Sequence, residues 1–215
     1  MPSSTWHNIE TFVEIIRELR PASFLDVGVG NGKWGFLVRE YTDVWNGHFL
    51  RSQWTCNIEG VEIYEPYISE NTHQQAIYNK IHIGDVTSIV NRLDSFDVIY
   101  AGDVLEHIEK EASLRLVQRL TAMAKIAFLC SIPLGAEWLG KRGYDNGHED
   151  HVSCWEIQEL KALGFTYYNV TTDPANKTRR IGFFVHTQHK LTIAGLRRLD
   201  HGRFARAVGS LTTRL

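Results

Sequence analysis

The chain has 215 residues, enough for one well-packed core and a short appendage, and a composition ordinary for a globular protein, with 43% hydrophobic residues. A net charge of −2 offers no basic face, which argues against a nucleic-acid partner. Cys56, Cys130 and Cys154 are odd in number, widely spaced and in no metal-ligand spacing, so neither a disulfide framework nor a cysteine metal site is expected. MPSSTWHNIE lacks a charged-then-apolar signal, and no apolar run reaches the length needed to span a bilayer. The expected location is cytoplasmic.

Ile9, Phe12, Val13, Ile16 and Leu19 form an apolar stripe at helical spacing, and Pro21 follows the end of that helix. From there short apolar runs alternate with helical patterns. The runs predict strands at Ser23–Val27, Cys56–Ile63, Lys80–Ile83, Phe96–Ala101, Ile126–Ile132, Phe165–Thr171 and Ile181–Thr187. Helices are predicted over Lys33–Tyr41, Pro66–Tyr78, Lys110–Ala124 and Trp155–Leu163, the last closed by Gly164. Strands alternating with helices imply a mostly parallel sheet covered on both faces. Two connections exceed what such units need, Thr42–Thr55 and Pro133–Cys154, and long connections at a sheet edge are often functional.

The first strand ends at Asp26 in LDVGVGNGKWG, where Gly28-x-Gly30-x-Gly32 overlaps Gly30-x-Gly32-x-x-Gly35. Such a turn lets a ligand approach the backbone, and the helix behind it offers free N–H groups. Pyrophosphate would use that end directly; a ligand with a carboxylate and a ribose would use the same turn differently. At the tip of the second strand Glu62 suits ribose hydroxyls. It lies 30 residues past Gly32, rather than the roughly 20 of the dinucleotide fingerprint, and part of that excess is the Thr42–Thr55 insertion. After the third strand comes Gly84-Asp85-Val86, and after the fourth Gly102-Asp103-Val104-Leu105-Glu106-His107-Ile108.

These marks, in order over residues 23–110, resemble the class I S-adenosyl-L-methionine-dependent methyltransferases: an acidic strand end with a GxGxG turn, an acidic ribose ligand, an Asp beside the adenine and a DVLEH segment. The resemblance implies a Rossmann-like α/β fold, a seven-stranded mostly parallel sheet with helices on both faces and the last strand antiparallel. It divides the chain into an N-terminal helix, residues 1–22, as a lid over the acceptor site, a methyltransferase domain, 23–189, and a basic tail, 190–215. S-adenosyl-L-methionine is the implied cofactor. Asp26, Gly28, Gly30 and Gly32 would meet its methionine end, Glu62 its ribose, Ile63, Asp85 and Val86 its adenine, and Asp103 its sulfonium or amine. The segment A-G-D-V departs from the Asn/Asp-Pro-Pro-aromatic tetrapeptide of base-modifying amino-methyltransferases, and no paired-Glu loop of arginine methyltransferases is present.

The expected acceptor is an oxygen or nitrogen of a small molecule, sugar or peptide natural product. A hydroxyl acceptor needs its proton removed. His151, in the long connection after the fifth strand, is the first candidate base and His107 the second. His148, Glu149, Asp150 and His151 together would alternatively suit Zn or Fe, but with no further ligand cluster nearby in the sequence no metal is expected. Trp6 with the first helix, Trp34, Trp138, Tyr144 and Trp155 are expected at the rim of the acceptor pocket, with the core as the alternative for Trp34 and Trp155, which lie inside helix patterns. The tail places Lys190, Arg197, Arg198, Arg203, Arg206 and Arg214 against a single acid, Asp200. The alternatives are an NAD-dependent oxidoreductase, separable by binding of NAD rather than S-adenosylhomocysteine (SAH), and a non-catalytic cofactor-binding module.

Overall fold

The computed structural model describes residues 6–140, 146–173 and 176–199. Its strands are β1 (Ser23–Val27), β2 (Asn57–Glu62), β3 (Lys80–Ile83), β4 (Phe96–Gly102), β5 (Ala124–Leu134), β6 (Tyr167–Asp173), β7 (Asn176–Thr187) and β8 (Arg197–Arg198). They form one sheet in the order β3-β2-β1-β4-β5-β7-β6-β8. The first five strands run parallel, and β7 runs antiparallel to both β5 and β6, as expected for the seventh strand. The eighth strand corrects the expected count of seven. Arg197 and Arg198 lie antiparallel to Tyr168 and Tyr167, and the Leu199 amide bonds the Thr166 carbonyl, so the start of the basic tail covers the outer edge of β6.

Alternate residues of each central strand face opposite sides of the sheet, and each side carries its own helices. On one face Leu25, Val27, Ile99, Ala101, Phe128 and Cys130 pack with α6 (Lys110–Met123) and α7 (Ile157–Ala162), through Leu116, Val117, Leu120 and Leu160. On the other, Phe24, Val98, Tyr100 and Leu129 pack with α1 (Ile9–Leu19) and α2 (Lys33–Thr42), through Phe12, Ile15, Ile16, Trp34 and Val38. The apolar stripe of α1 is therefore core. α1 stops where Arg20 turns left-handed ahead of Pro21.

The helix expected over Pro66–Tyr78 is two short ones, α3 (Pro66–Ser69) and α4 (His73–Ile77). The break has a local cause. The Asn71 and Gln74 side-chain amides both donate to the Tyr67 carbonyl, replacing the backbone partner a continuous helix would have used. α5 (Val86–Ile89) is capped by Asp85. The Thr42–Thr55 connection is pinned from inside: the Asp43 carboxylate accepts the Thr55 amide and hydroxyl and pairs with the Arg39 guanidinium at 2.6 Å. Arg39 also donates to the carbonyls of Cys56 and Ile77. Among the described residues no helix is long and apolar enough to cross a membrane.

Candidate active site

A cavity of about 900 Å³, counted to its open mouth, lies at the carboxyl ends of β1, β2 and β4, where open α/β sheets bind ligands. Gly28 and Gly30, both in its wall, have φ of 83° and 49°. A side chain on Gly28 would meet the Val104 methyl at 2.5 Å, so the turn needs glycine both for its backbone shape and for its packing. Glu62 holds this turn in place: its two carboxylate oxygens accept the Gly30 and Tyr64 amides, each at 2.9 Å. Burial raises its pKa, against the pull of those amides. Behind the turn Gln74 donates to the Gly30 carbonyl at 2.9 Å. Asp26 is fully buried beneath it, accepting the Tyr78 hydroxyl. Burial, with the nearby charge of Glu62 adding to it, lifts the Asp26 pKa to about 7.

Of the residues expected to meet a cofactor, Gly28, Gly30, Glu62, Ile63, Asp85, Val86 and Asp103 line the cavity, while Asp26 and Gly32 support it from behind. Asp85 spends its carboxylate partly on its own helix, accepting the Thr87 amide and hydroxyl at 2.8 Å. Asp103 adopts a left-handed backbone, φ 54°, unusual outside glycine, and accepts the Ser131 hydroxyl at 2.8 Å. Lys33 also lines the wall, and its pKa is lowered because burial outweighs the attraction of Asp103 and Asp26.

The second long connection reaches this cavity and the first does not. Asn146, His148 and Glu149 face it together with Tyr67. The Tyr67 hydroxyl donates to Glu149 at 3.0 Å and accepts from the Asn146 amide at 3.3 Å. Sequence reasoning missed Tyr67, Gln74 and Asn146, which come from segments with no local motif; Glu149 was weighed only as a metal ligand. The two candidate bases differ in place. His107 lines the cavity, whereas His151 lies behind it, its ring edge-on to His107 with centroids 4.8 Å apart. Burial lowers the His107 pKa. Both imidazoles approach the buried Glu106 carboxylate.

Trp34 is the one expected rim aromatic that lines the cavity among those described. Trp138 stacks near His151, Trp155 is wholly buried in the core under the Lys110 ammonium, and Trp6 is exposed on the surface. Tyr144 lies outside the described residues. No residue from 6 to 22 lines the cavity, so α1 reaches it only through Trp34. Of the tail, Arg203, Arg206, Arg214 and Asp200 lie outside the described residues.

No protein-family model and no curated protein matches the sequence. Solved structures do match the fold. TehB from Haemophilus influenzae is 14% identical with a TM-score of 0.60 over 83% of this chain, which spans 62% of TehB. Magnesium protoporphyrin IX methyltransferase (ChlM) from Synechocystis PCC 6803 with bound SAH is 14% identical, TM-score 0.56, covering 84% of this chain and 82% of that one. The methyltransferase domain of the bacterial protein CtHen1 is 15% identical, TM-score 0.54, covering 84% and 97%. With its strand order and its cavity at the carboxyl edge, the chain has the Rossmann-like fold of the class I S-adenosylmethionine-dependent methyltransferases.

Proposed function

We propose that the chain transfers a methyl group from S-adenosyl-L-methionine to an oxygen or nitrogen of a small molecule, sugar or peptide. The observation that carries this reading is the joining of the positive-φ glycine turn to the buried Glu62 carboxylate across one cavity wall. When bound, the cofactor supplies a methyl carbon made electrophilic by its sulfonium. The residues do the rest. Gly28 and Gly30 admit the methionine end close to the backbone, with Asp26 and Gly32 shaping the turn from behind. Glu62 accepts from the ribose hydroxyls. Ile63 and Val86 cover the adenine, and the exposed Asp85 carboxylate faces its amino group. Asp103, fixed by Ser131, sets its negative charge toward the sulfonium or the amine.

The acceptor enters beside Tyr67, Asn146, His148 and Glu149. Alignment of nucleophile and methyl in a water-poor pocket is the main demand of such a displacement. A hydroxyl acceptor loses its proton at the corner where His107 and His151 meet, with His107 nearest the cavity.

Thermal unfolding with SAH and with NAD tests the reading. At 100 times its dissociation constant a ligand of the folded state adds about 2.7 kcal/mol, which for a chain of this size raises Tm by roughly 5–10 °C. SAH is expected to give that shift and NAD none; the reverse makes the chain a dinucleotide protein. Cofactor binding without turnover on any hydroxyl or amine acceptor, in an assay of SAH release, would leave a binding module.

A further inference from the structure

Two histidines and a carboxylate meet beside the cavity although they come from distant segments. Glu106 and His107 sit in a 3₁₀ turn, Leu105–His107, after β4, and His151 arrives from the loop after β5. His107 Nε2 lies 3.9 Å and His151 Nε2 4.0 Å from Glu106 Oε1, and one donor atom from each residue falls within 4.8 Å of the others. A metal ion bound at about 2.1 Å sets neighbouring donors roughly 3.0–3.4 Å apart. Small side-chain rotations close that gap.

The hydrogen bonding fits ligation. His107 Nδ1 is 3.0 Å from the Asp150 carbonyl oxygen. A carbonyl only accepts, so Nδ1 carries the proton and Nε2, the atom nearer Glu106, keeps a bare lone pair. A backbone carbonyl on the far nitrogen is the usual outer support of a metal-binding histidine. The two segments are also tied together: the Val152 and Ser153 amides donate to the Glu106 carbonyl at 2.9 and 3.0 Å, and the Ser113 and Ser153 hydroxyls to the Leu105 carbonyl. His151 is fixed in turn by two backbone bonds with Gly140. The Glu106 carboxylate is 1% exposed, and a cation favours an ionised carboxylate so deeply placed.

We propose that Glu106, His107 and His151 bind one divalent first-row transition-metal ion at the edge of the cavity. Two imidazoles and one carboxylate favour Mn, Fe, Co, Ni or Zn over Ca or Mg, which prefer oxygen donors. The set differs from the His148–Glu149–Asp150–His151 run of the sequence. His148 is exposed, the Glu149 carboxylate accepts from Tyr67, and Asp150 meets His107 through its backbone carbonyl. Of the three residues His107 forms part of the cavity wall, so an ion held by them would lie at the edge of the cavity. What the ion does there rests on the methyl-transfer reading: it polarises the acceptor hydroxyl, making its proton easier to lose. Ion binding itself does not depend on that reading.

The untagged full chain, stripped with EDTA, is titrated with CoCl₂ and followed by visible absorption. One Co²⁺ per chain with d–d bands is expected, and Glu106→Gln and His151→Ala should each weaken binding by roughly 100-fold or more. SAH affinity, measured by calorimetry on the stripped proteins, should be nearly the same in wild type and His151→Ala, which verifies that the variant folds. The proposal is overturned if the stripped wild type takes up no Co²⁺, or if both variants take it up as the wild type does. Stoichiometric Co²⁺ lost in both variants, with no SAH binding by any of the proteins, upholds the metal site and removes the methyl-transfer reading instead.

Discussion

Replacing Asp26 with Asn isolates a single proton-binding event under the glycine turn. The Asp26 carboxyl is wholly buried, and burial lifts its pKa from 3.8 to about 7, opposed by the Tyr78 hydroxyl and the Gly35 amide. Unfolded, the group returns to an ordinary value near 3.9. Between those two pH values the folded chain therefore carries a proton that the unfolded chain has lost. Stability contributed by Asp26 is complete below pH 4 and falls by about 1.4 kcal/mol per pH unit until pH reaches the folded pKa. From pH 5 to pH 8 the loss comes to about 2–3 kcal/mol. Asn keeps the shape and an oxygen to accept the Tyr78 hydroxyl, but it has no proton to lose. Urea denaturation of both proteins at pH 5, 6, 7 and 8 measures the difference, in which contributions from distant groups cancel. The variant should gain on wild type by about 2–3 kcal/mol over that range, most of it by pH 7. Parallel pH profiles would refute the reasoning, since they mean that Asp26 is ionised in the fold throughout.

Glu62→Ala should weaken SAH binding by about 1.5–3 kcal/mol, the worth of hydrogen bonds to a charged group, or roughly 10- to 150-fold by calorimetry; unchanged affinity removes Glu62 from the ribose. Gly30→Val should abolish SAH binding at modest cost to Tm, because a β-branched residue resists a φ of 49° in the cavity wall. If it binds normally, the loop is only a turn. His107→Ala and His151→Ala should each lower turnover on a hydroxyl acceptor by about 10²–10⁴, whereas full turnover by either excludes it from proton removal. Asp43→Ala leaves the Arg39 guanidinium buried without its carboxylate and should cost about 3–5 kcal/mol, read as a Tm loss of roughly 10 °C with SAH affinity unchanged in the folded fraction.

What could be read from the chain in advance follows the range of the interactions involved. β1 and β3 begin and end where the sequence places them, because a short apolar or alternating run between turn residues is a local signal, whether the strand is buried like β1 or lies at the sheet edge like β3. The glycine turn is legible for the same reason: its spacing lies within eight residues. The Pro66–Tyr78 break was hidden because two side-chain amides, not a proline or glycine, interrupt the helix. β8 was hidden because two arginines pair with an edge that forms only once β6 and β7 have folded. The acceptor wall and the Glu106–His107–His151 cluster are sums of segments more than 40 residues apart, and no spacing within a motif encodes such a meeting. His151 could be singled out as chemically interesting, but its neighbours depend on where the β4 and β5 loops land.

The Trp34 ring belongs to two structures at once. One side packs against Phe12 and Tyr100, each with ring centroids 4.7 Å away, and another part of the residue lines the cavity. α1 makes no wall of the cavity, yet its order and the occupancy of the cavity are linked through this indole. By reciprocity, a ligand that tightens the wall around Trp34 must slow hydrogen exchange of the α1 amides by the same free energy with which a frayed α1 would loosen the ligand. Phe12→Ala should accordingly lower ligand affinity from a position outside the cavity wall, making the N-terminal helix a remote determinant of binding.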